Sequence, residues 1–251
     1  MANTLVICGF DPKHLRICTD RSATKAGLLK GLDWLIKGAK KGDSLAFYYS
    51  GHGSQVVDTD GDEIDRLDEI LCPHDIDFAK KFYISDDDLR GIFAKRPEGM
   101  NLEVILDCCH SGTGTREMEL LSEVSAENKV GTRYLPPPLD YTFHLDYNPD
   151  LPRKRVLRSK PGAKDIVIVP GLNHTVWAAC RDNQTSQEVN IRGQVRGVFT
   201  YNFCEVLRKT SGKMTRKELK SIVSAAIKRG GFEQVLQLET SAPELTGSPF
   251  R

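Results

Sequence analysis

The chain has 251 residues, 39% hydrophobic and 27% charged, which is enough apolar content to bury one large core or two small ones, and one is expected. Its formal net charge of +1 supplies no field to draw in nucleic acid or an acidic membrane surface, so neither is expected as a partner. No apolar run approaches the ~18 residues of a membrane span, the opening MANTLVICGF lacks the pattern of a secretory signal, and seven cysteines with an adjacent pair at Cys108 and Cys109 fit free thiols in the cytoplasm better than a disulfide framework.

In chain order, HLRICTD (14 to 20) predicts a short strand, and TKAGLLKGLDWLIKGAK a helix with Leu28, Leu29, Leu32, Leu35 and Ile36 at helical spacing and Thr24 as its cap. SLAFYYS (44 to 50) and NLEVILD (101 to 107) are continuous apolar runs, the signature of strands covered on both faces. ISDDDLRGIFAKR (84 to 96) between them predicts a helix with acidic residues in its first turn. Strands alternating with helices imply an α/β fold with a mostly parallel central sheet. From Thr113 to about Lys164 the pattern lapses into a triple proline (136 to 138), Asn148, Pro149, Pro152 and the cations Arg153, Lys154, Arg155, Arg158 and Lys160. This is expected to be a mobile insertion within one domain spanning residues 1 to 251. Order returns at KDIVIV (164 to 169) and TVWAAC (175 to 180), followed by helices around GVFTYNFCEVLRK and TRKELKSIVSAAIKR.

Reactive groups in a parallel sheet gather beyond the carboxyl ends of its strands. The 44 to 50 strand runs into SGHGS, with His52 between Gly51 and Gly53, and the 101 to 107 strand runs into CCHSG. If these strands are neighbours, an imidazole and a thiol meet, the minimal set for a cysteine nucleophile and its base. Backbone N–H groups at Gly53 and at the nucleophile would hold the oxyanion of a tetrahedral intermediate. His110 with Cys108 and Cys109 is a poor zinc set, because adjacent residues crowd a tetrahedral site. DTDGDEIDRLDE, counted from Asp58, has acids at loop positions 1, 3, 5 and 12 but Glu63 where an EF-hand needs glycine, so it is read as a solvated acidic loop or a weak calcium site of another kind.

YYSGHGSQ followed by DCCHSG resembles the His and Cys motifs of the metacaspases, caspase-like cysteine peptidases of clan CD, and DTDGDEIDRLDEILCPHD, ISDDDL, CRDNQTS (180 to 186) and RGGFEQVLQLE (229 to 239) resemble further segments of that family. The resemblance implies a caspase-like three-layer fold with helices on both faces of the sheet. It implies His52 as general base, Cys109 as nucleophile with Cys108 a packing neighbour, and Gly53 and Cys109 as oxyanion donors. Ser50 and Asp107 would form a pocket for the Arg or Lys before the scissile bond, with Asp182 near the substrate groove. Calcium is implied as an activator rather than a chemical cofactor, bound at Asp68, Asp86 and Asp87, although Arg116 stands where a fourth Asp is usual. The expected activity is therefore endopeptidase cleavage of protein or peptide substrates by a monomer, with self-cleavage in the 113 to 164 insertion. MANTLVICGF resembles the end of the family's first helix, so a leading strand is expected to be absent. The alternative is an impaired caspase-like binding module.

Overall fold

The computed structural model describes residues 1–57, 67–109, 130–138, 165–181 and 184–250. In its first half, α1 (Ala2–Ile7), α2 (Lys25–Ile36), β1 (Ser44–Ser50), β2 (Gly53–Val57), β3 (Leu67–Leu71), β4 (Ile84–Ser85), α3 (Asp86–Phe93) and β5 (Asn101–Asp107) follow one another. After them come β6 (Gly131–Thr132), β7 (Ile166–Ile168), β8 (Thr175–Ala178), β9 (Gln187–Ile191), β10 (Gln194–Gly197), α4 (Val198–Thr210), α5 (Arg216–Arg229) and β11 (Gln237–Thr240).

The two apolar runs pair with each other. β1 lies parallel to β5 in unbroken register, from Ser44 opposite Asn101 to Ser50 opposite Asp107. They belong to a five-stranded sheet in the order β1-β5-β8-β11-β7, parallel at every pairing except β8 with β11. Side chains of a strand alternate between faces, and β5 divides accordingly. Leu102, Val104 and Cys108 enter one core with Leu32 of α2 and Phe93 of α3. Ile105 enters the other with Trp177, Phe199, Phe203, Leu207, Leu219 and Val223 beneath α4 and α5. Helices thus cover both faces, the three-layer α/β arrangement expected.

Local chemistry sets the helix starts. The Thr24 side chain accepts from Gly27 N at 3.1 Å to open α2. Ser85 and Asp88 form a reciprocal capping box that opens α3, so residues 84 and 85, expected in the helix, form a short strand beside β3 instead. The helix also ends at Phe93, short of Arg96, where the approaching Pro97 disfavours helical backbone.

The strand expected over 14 to 20 is not there. Two 3-10 turns, Pro12–His14 and Asp20–Ser22, flank an unpaired extended stretch whose Ile17 is 66% exposed; with no apolar face to bury, it has nothing to give a sheet. Two small antiparallel sheets, β2-β3-β4 and β10-β9-β6, were not expected. β9 and β10 turn through Arg192 and Gly193, both at positive φ (55° and 78°), the backbone of a two-residue hairpin loop that usually advertises itself as Asn-Gly. Among the described residues no helix is long and apolar enough to cross a membrane, and all seven cysteines are free.

One buried charge pair fastens the α5 layer to the sheet. Glu103, in the middle of β5, accepts from Arg216 Nε at 2.9 Å and Nη2 at 2.6 Å, and from Trp177 Nε1 at 2.5 Å. Burial pushes the Glu103 carboxyl up to about 7 against the pull of Arg216. Arg216→Met, which strands that carboxyl, is expected to cost about 3–5 kcal/mol in urea unfolding at neutral pH or above. A carboxyl whose folded pKa is raised stabilises below its unfolded value and loses that contribution as pH rises. The deficit of the variant should therefore be smaller at pH 5 than at pH 8, and Glu103→Leu/Arg216→Met should recover most of it.

Candidate active site

Parallel register brings the ends of β1 and β5 together, with Ser50 beside Asp107. By the alternation of β5, Asp107 shares the face of Glu103 and Ile105, turned toward α4. Its carboxylate is fully buried and accepts from Ser186 Oγ at 2.7 Å, from Thr200 N at 3.3 Å and from the Thr200 hydroxyl. Thr200 N belongs to the first turn of α4, whose N-cap residue, Gly197, has no side chain to offer. Asp107 therefore does the capping from another element, its charge favourable at the positive end of the helix. Gly197 must be glycine for a steric reason as well, since a Cβ there would overlap Asp107 Oδ2 and lie 2.9 Å from the guanidinium of Arg133.

Arg133 fills the pocket so formed. Its Nη1 donates to Ser50 Oγ and, at 3.0 Å, to the main-chain oxygen of Asp107, lies 3.5 Å from Asp107 Oδ2, and its Nε is 3.4 Å from Glu188 Oε2. A cavity of about 220 Å³, lined in part by Tyr48, Gly197, Thr200 and Tyr201, opens beside it.

The two backbone donors expected at an oxyanion hole point at one atom. Gly53 N and Cys109 N donate to the carbonyl oxygen of Arg133 at 3.0 and 3.2 Å. The Cys109 side chain is turned inward and fully buried: Sγ accepts from Ser186 N at 2.6 Å and lies 3.4 Å from Ser186 O. The Cys180 thiol, hydrogen-bonded to Cys109 and buried, is held protonated well above its ordinary range. The imidazole of His52 is exposed. Its loop is fixed by backbone: Tyr49 Oη lies 2.8 Å from the carbonyl oxygens of both His52 and Cys72, and Cys72 N donates to His52 O at 3.0 Å. Gly51 makes room for this, since a Cβ there would come 2.7 Å from Tyr49 Oη. Among the described residues no hydrogen bond joins the imidazole to the thiol, although both stand at the ends of neighbouring strands. Cys108 points to the opposite side of the sheet, in the core around Tyr49 and Val104, where burial pushes its thiol well up.

The carboxylates expected to take calcium are occupied differently. Asp86 and Asp87, in the first turn of α3, are ion-paired with the same cation, Arg90, at 3.1 and 2.6 Å. Burial and the neighbouring Asp87 raise the Asp86 carboxyl. Asp68 lies on β3, and among the described residues no three ligating side chains converge. Arg90 engages Asp86 through Oδ2, while the buried Oδ1 of Asp86 has no hydrogen-bond partner among the described residues. Asp182, the acidic loop at 58 to 66, and Arg116 lie outside the described residues.

Several residues that shape the site carried no distinguishing signal in the sequence. Ser186 sits at the end of CRDNQTS, read for Asp182. Gly197 and Thr200 open an ordinary amphipathic helix, and Glu188 and Arg133 stand in unremarkable polar stretches. What the residues build together is an acidic pocket occupied by the Arg133 side chain, two N–H donors on the Arg133 carbonyl oxygen and a thiol bonded to Ser186.

A family model described as "Metacaspase, peptidase C14 domain" matches residues 3–116. Metacaspase-1A of Aspergillus niger is 32% identical over 220 residues, covering 79% of this chain and 52% of that protein. Metacaspase-1 of Ajellomyces capsulatus is 30% identical over 241 residues (88% and 64%), and Metacaspase-1 of Cryptococcus neoformans 32% over 248 residues (90% and 52%). The chain thus spans between about half and just under two thirds of these relatives. The crystal structure of a Geobacter sulfurreducens protein, 24% identical, superposes with a TM-score of 0.66 over 100% of this chain and 86% of its own, a likeness of fold.

The packing at Gly197 gives a direct check. Gly197→Ala, in a Cys109→Ala background, is expected to expel the Arg133 side chain while the chain still unfolds cooperatively. Overpacking of this kind costs about 1–3 kcal/mol, so trypsin should cut after Arg133 about tenfold faster or more, as followed by mass spectrometry.

Proposed function

The chain belongs to the metacaspase family, peptidase C14, and from that premise we propose that it is a cysteine endopeptidase cutting after arginine or lysine. One observation carries the reading: an arginine lies with its side chain on Ser50 and Asp107 and its carbonyl oxygen on the N–H groups of Gly53 and Cys109. A pocket and a donor pair aimed at the two ends of one residue are what acyl transfer needs in a substrate site. A guanidinium or ammonium gains short charge-assisted contacts there, whereas an acidic side chain would face Asp107 and Glu188.

In the reaction, His52 takes the Cys109 proton after the thiol swings away from Ser186, and the thiolate attacks the carbonyl carbon after the basic residue. Gly53 N and Cys109 N stabilise the oxyanion. Protonated His52 then supplies the leaving amine, and water hydrolyses the thioester. Self-processing within residues 113 to 164 belongs to the same reading. Calcium enters it in one form, as an ion gathered by Asp68, Asp86 and Asp87 once Arg90 leaves Asp86 and Asp87, and no chemical step runs through it.

A second reading, a caspase-like binding module without turnover, draws support from the inward thiol of Cys109 and its bonds to Ser186. Reporter peptides ending in Arg and in Asp separate the two. Turnover of the Arg peptide is expected to exceed that of the Asp peptide about 10²-fold, since a hydrogen-bonded charge contributes about 1.5–3 kcal/mol, and to vanish in Cys109→Ala. Calcium should raise it, and Arg90→Ala should lower the calcium concentration needed. Equal rates on both peptides sink the specificity. No turnover, with Cys109 alkylated by iodoacetamide like a free thiol of pKa about 8.5, leaves the binding module.

A further inference from the structure

Arg133 is held as a residue of a bound peptide would be, and it is part of the chain itself. β6 adds to the edge of β9 in antiparallel register, Gly131 opposite Glu188 and Thr132 opposite Gln187. Arg133 N continues the ladder by donating to Ser186 O at 3.2 Å. This is strand addition, in which backbone bonds align a peptide and pockets select its side chains. The side chain of Arg133 lies on Ser50, Asp107 and Glu188, and its carbonyl oxygen takes both Gly53 N and Cys109 N. Beyond that carbonyl the chain is held again: Tyr134 bridges to Gly53, and Leu135 N donates to Gly53 O at 2.9 Å. The peptide bond between Arg133 and Tyr134 is thus gripped on both sides, with its carbonyl polarised by the main chain of Cys109, the residue that carries the thiol.

We infer that residues 131 to 135 are the chain's own first substrate: the bond cut is Arg133–Tyr134, and until it is cut Arg133 closes the pocket to other peptides. The inference rests on the peptidase reading above and gives it a site. The basic cluster Arg153 to Lys160, which the sequence offers as the obvious place for self-cleavage, lies outside the described residues; Arg133 is the basic residue seated in the pocket. In the intact chain the reaction waits on the thiol, which is bonded to Ser186 rather than turned to the carbonyl. When it turns, Sγ bonds to the carbonyl carbon of Arg133 and the bond to Tyr134 N breaks. That nitrogen takes from His52 the proton His52 took from the thiol. One water then releases Arg133 as a carboxylate and restores the thiol.

The test is the full chain followed by intact mass and N-terminal sequencing, beside turnover of the Arg reporter, with and without calcium. The expected result is two fragments meeting at Arg133 and Tyr134 in the wild type and in Arg133→Lys, and an uncut junction in Arg133→Ala and in Cys109→Ala. A wild type that turns over the reporter yet stays whole, or is cut only elsewhere, overturns the inference and leaves the peptidase reading standing. Absence of both cleavage and turnover overturns the two together. Occupancy of the pocket has its own measurement, independent of turnover. A fluorescein-labelled peptide ending in arginine should bind Cys109→Ala/Arg133→Ala at least about tenfold more tightly than Cys109→Ala, because a site open only part of the time loses affinity in that proportion. Equal affinities, with matching thermal unfolding of the two variants, overturn the closed pocket.

Discussion

A carboxylate removed from water must find its partners within the protein, and Asp107 finds them on three separate pieces of chain: Ser186 before β9, Thr200 in α4 and Arg133 beside β6. Each of those pieces brings something to the site. Ser186 holds the Cys109 thiol, α4 forms one wall of the pocket, and Arg133 occupies that pocket beside the open cavity. The position of this one side chain follows from the parity of β5, which sends Glu103, Ile105 and Asp107 toward α4 and α5 and the alternate residues toward α2 and α3. Cys108 and Cys109 fall on opposite sides of that division, so two adjacent and chemically identical residues have different surroundings, one a core filler and the other buried against Ser186.

Much of this was legible in the sequence because it depends on local signals. Continuous apolar runs, a Thr24 cap and acidic residues in a first turn identify β1, β5, α2 and α3, and the motifs SGHGS and CCHSG fall at the ends of two strands that prove to be parallel neighbours. HLRICTD misled because β-branched and aliphatic residues promise a strand only if a neighbour covers them, and Ile17 has none. The hairpin at Arg192 and Gly193 escaped notice because an arginine occupies the first left-handed position. The pocket residues Glu188, Gly197 and Thr200 escaped for a deeper reason. Their roles arise from where β9, β10 and α4 pack against β5, and no spacing along the chain encodes that distance. Asp86 and Asp87 show how a helix complicates such a signal, since the acidic pair that suggests an ion in the sequence meets Arg90 of the same helix, which leaves the buried Oδ1 of Asp86 without a partner among the described residues.

The backbone contributes as much as the side chains to how residues 131 to 135 are held. Gly53 and Cys109 supply N–H groups whose directions are fixed by β2 and by the end of β5, and the His52 loop is braced through its own carbonyl by Tyr49 and Cys72. Donors set by main chain in this way need no reorganisation when charge develops on the oxygen they face. The imidazole and the thiol are the adjustable parts, one in solvent and one tucked against Ser186, so on the reading proposed the resting geometry separates recognition from chemistry.

The cap that Asp107 provides to α4 couples two properties that other folds keep apart. Any change in this side chain that altered the floor of the pocket would also uncap a helix packed across one face of the sheet. On the reading proposed, the pocket can be altered without loss of that cap only at Ser50 and Glu188, while its acidic floor is held in place by the demands of folding itself.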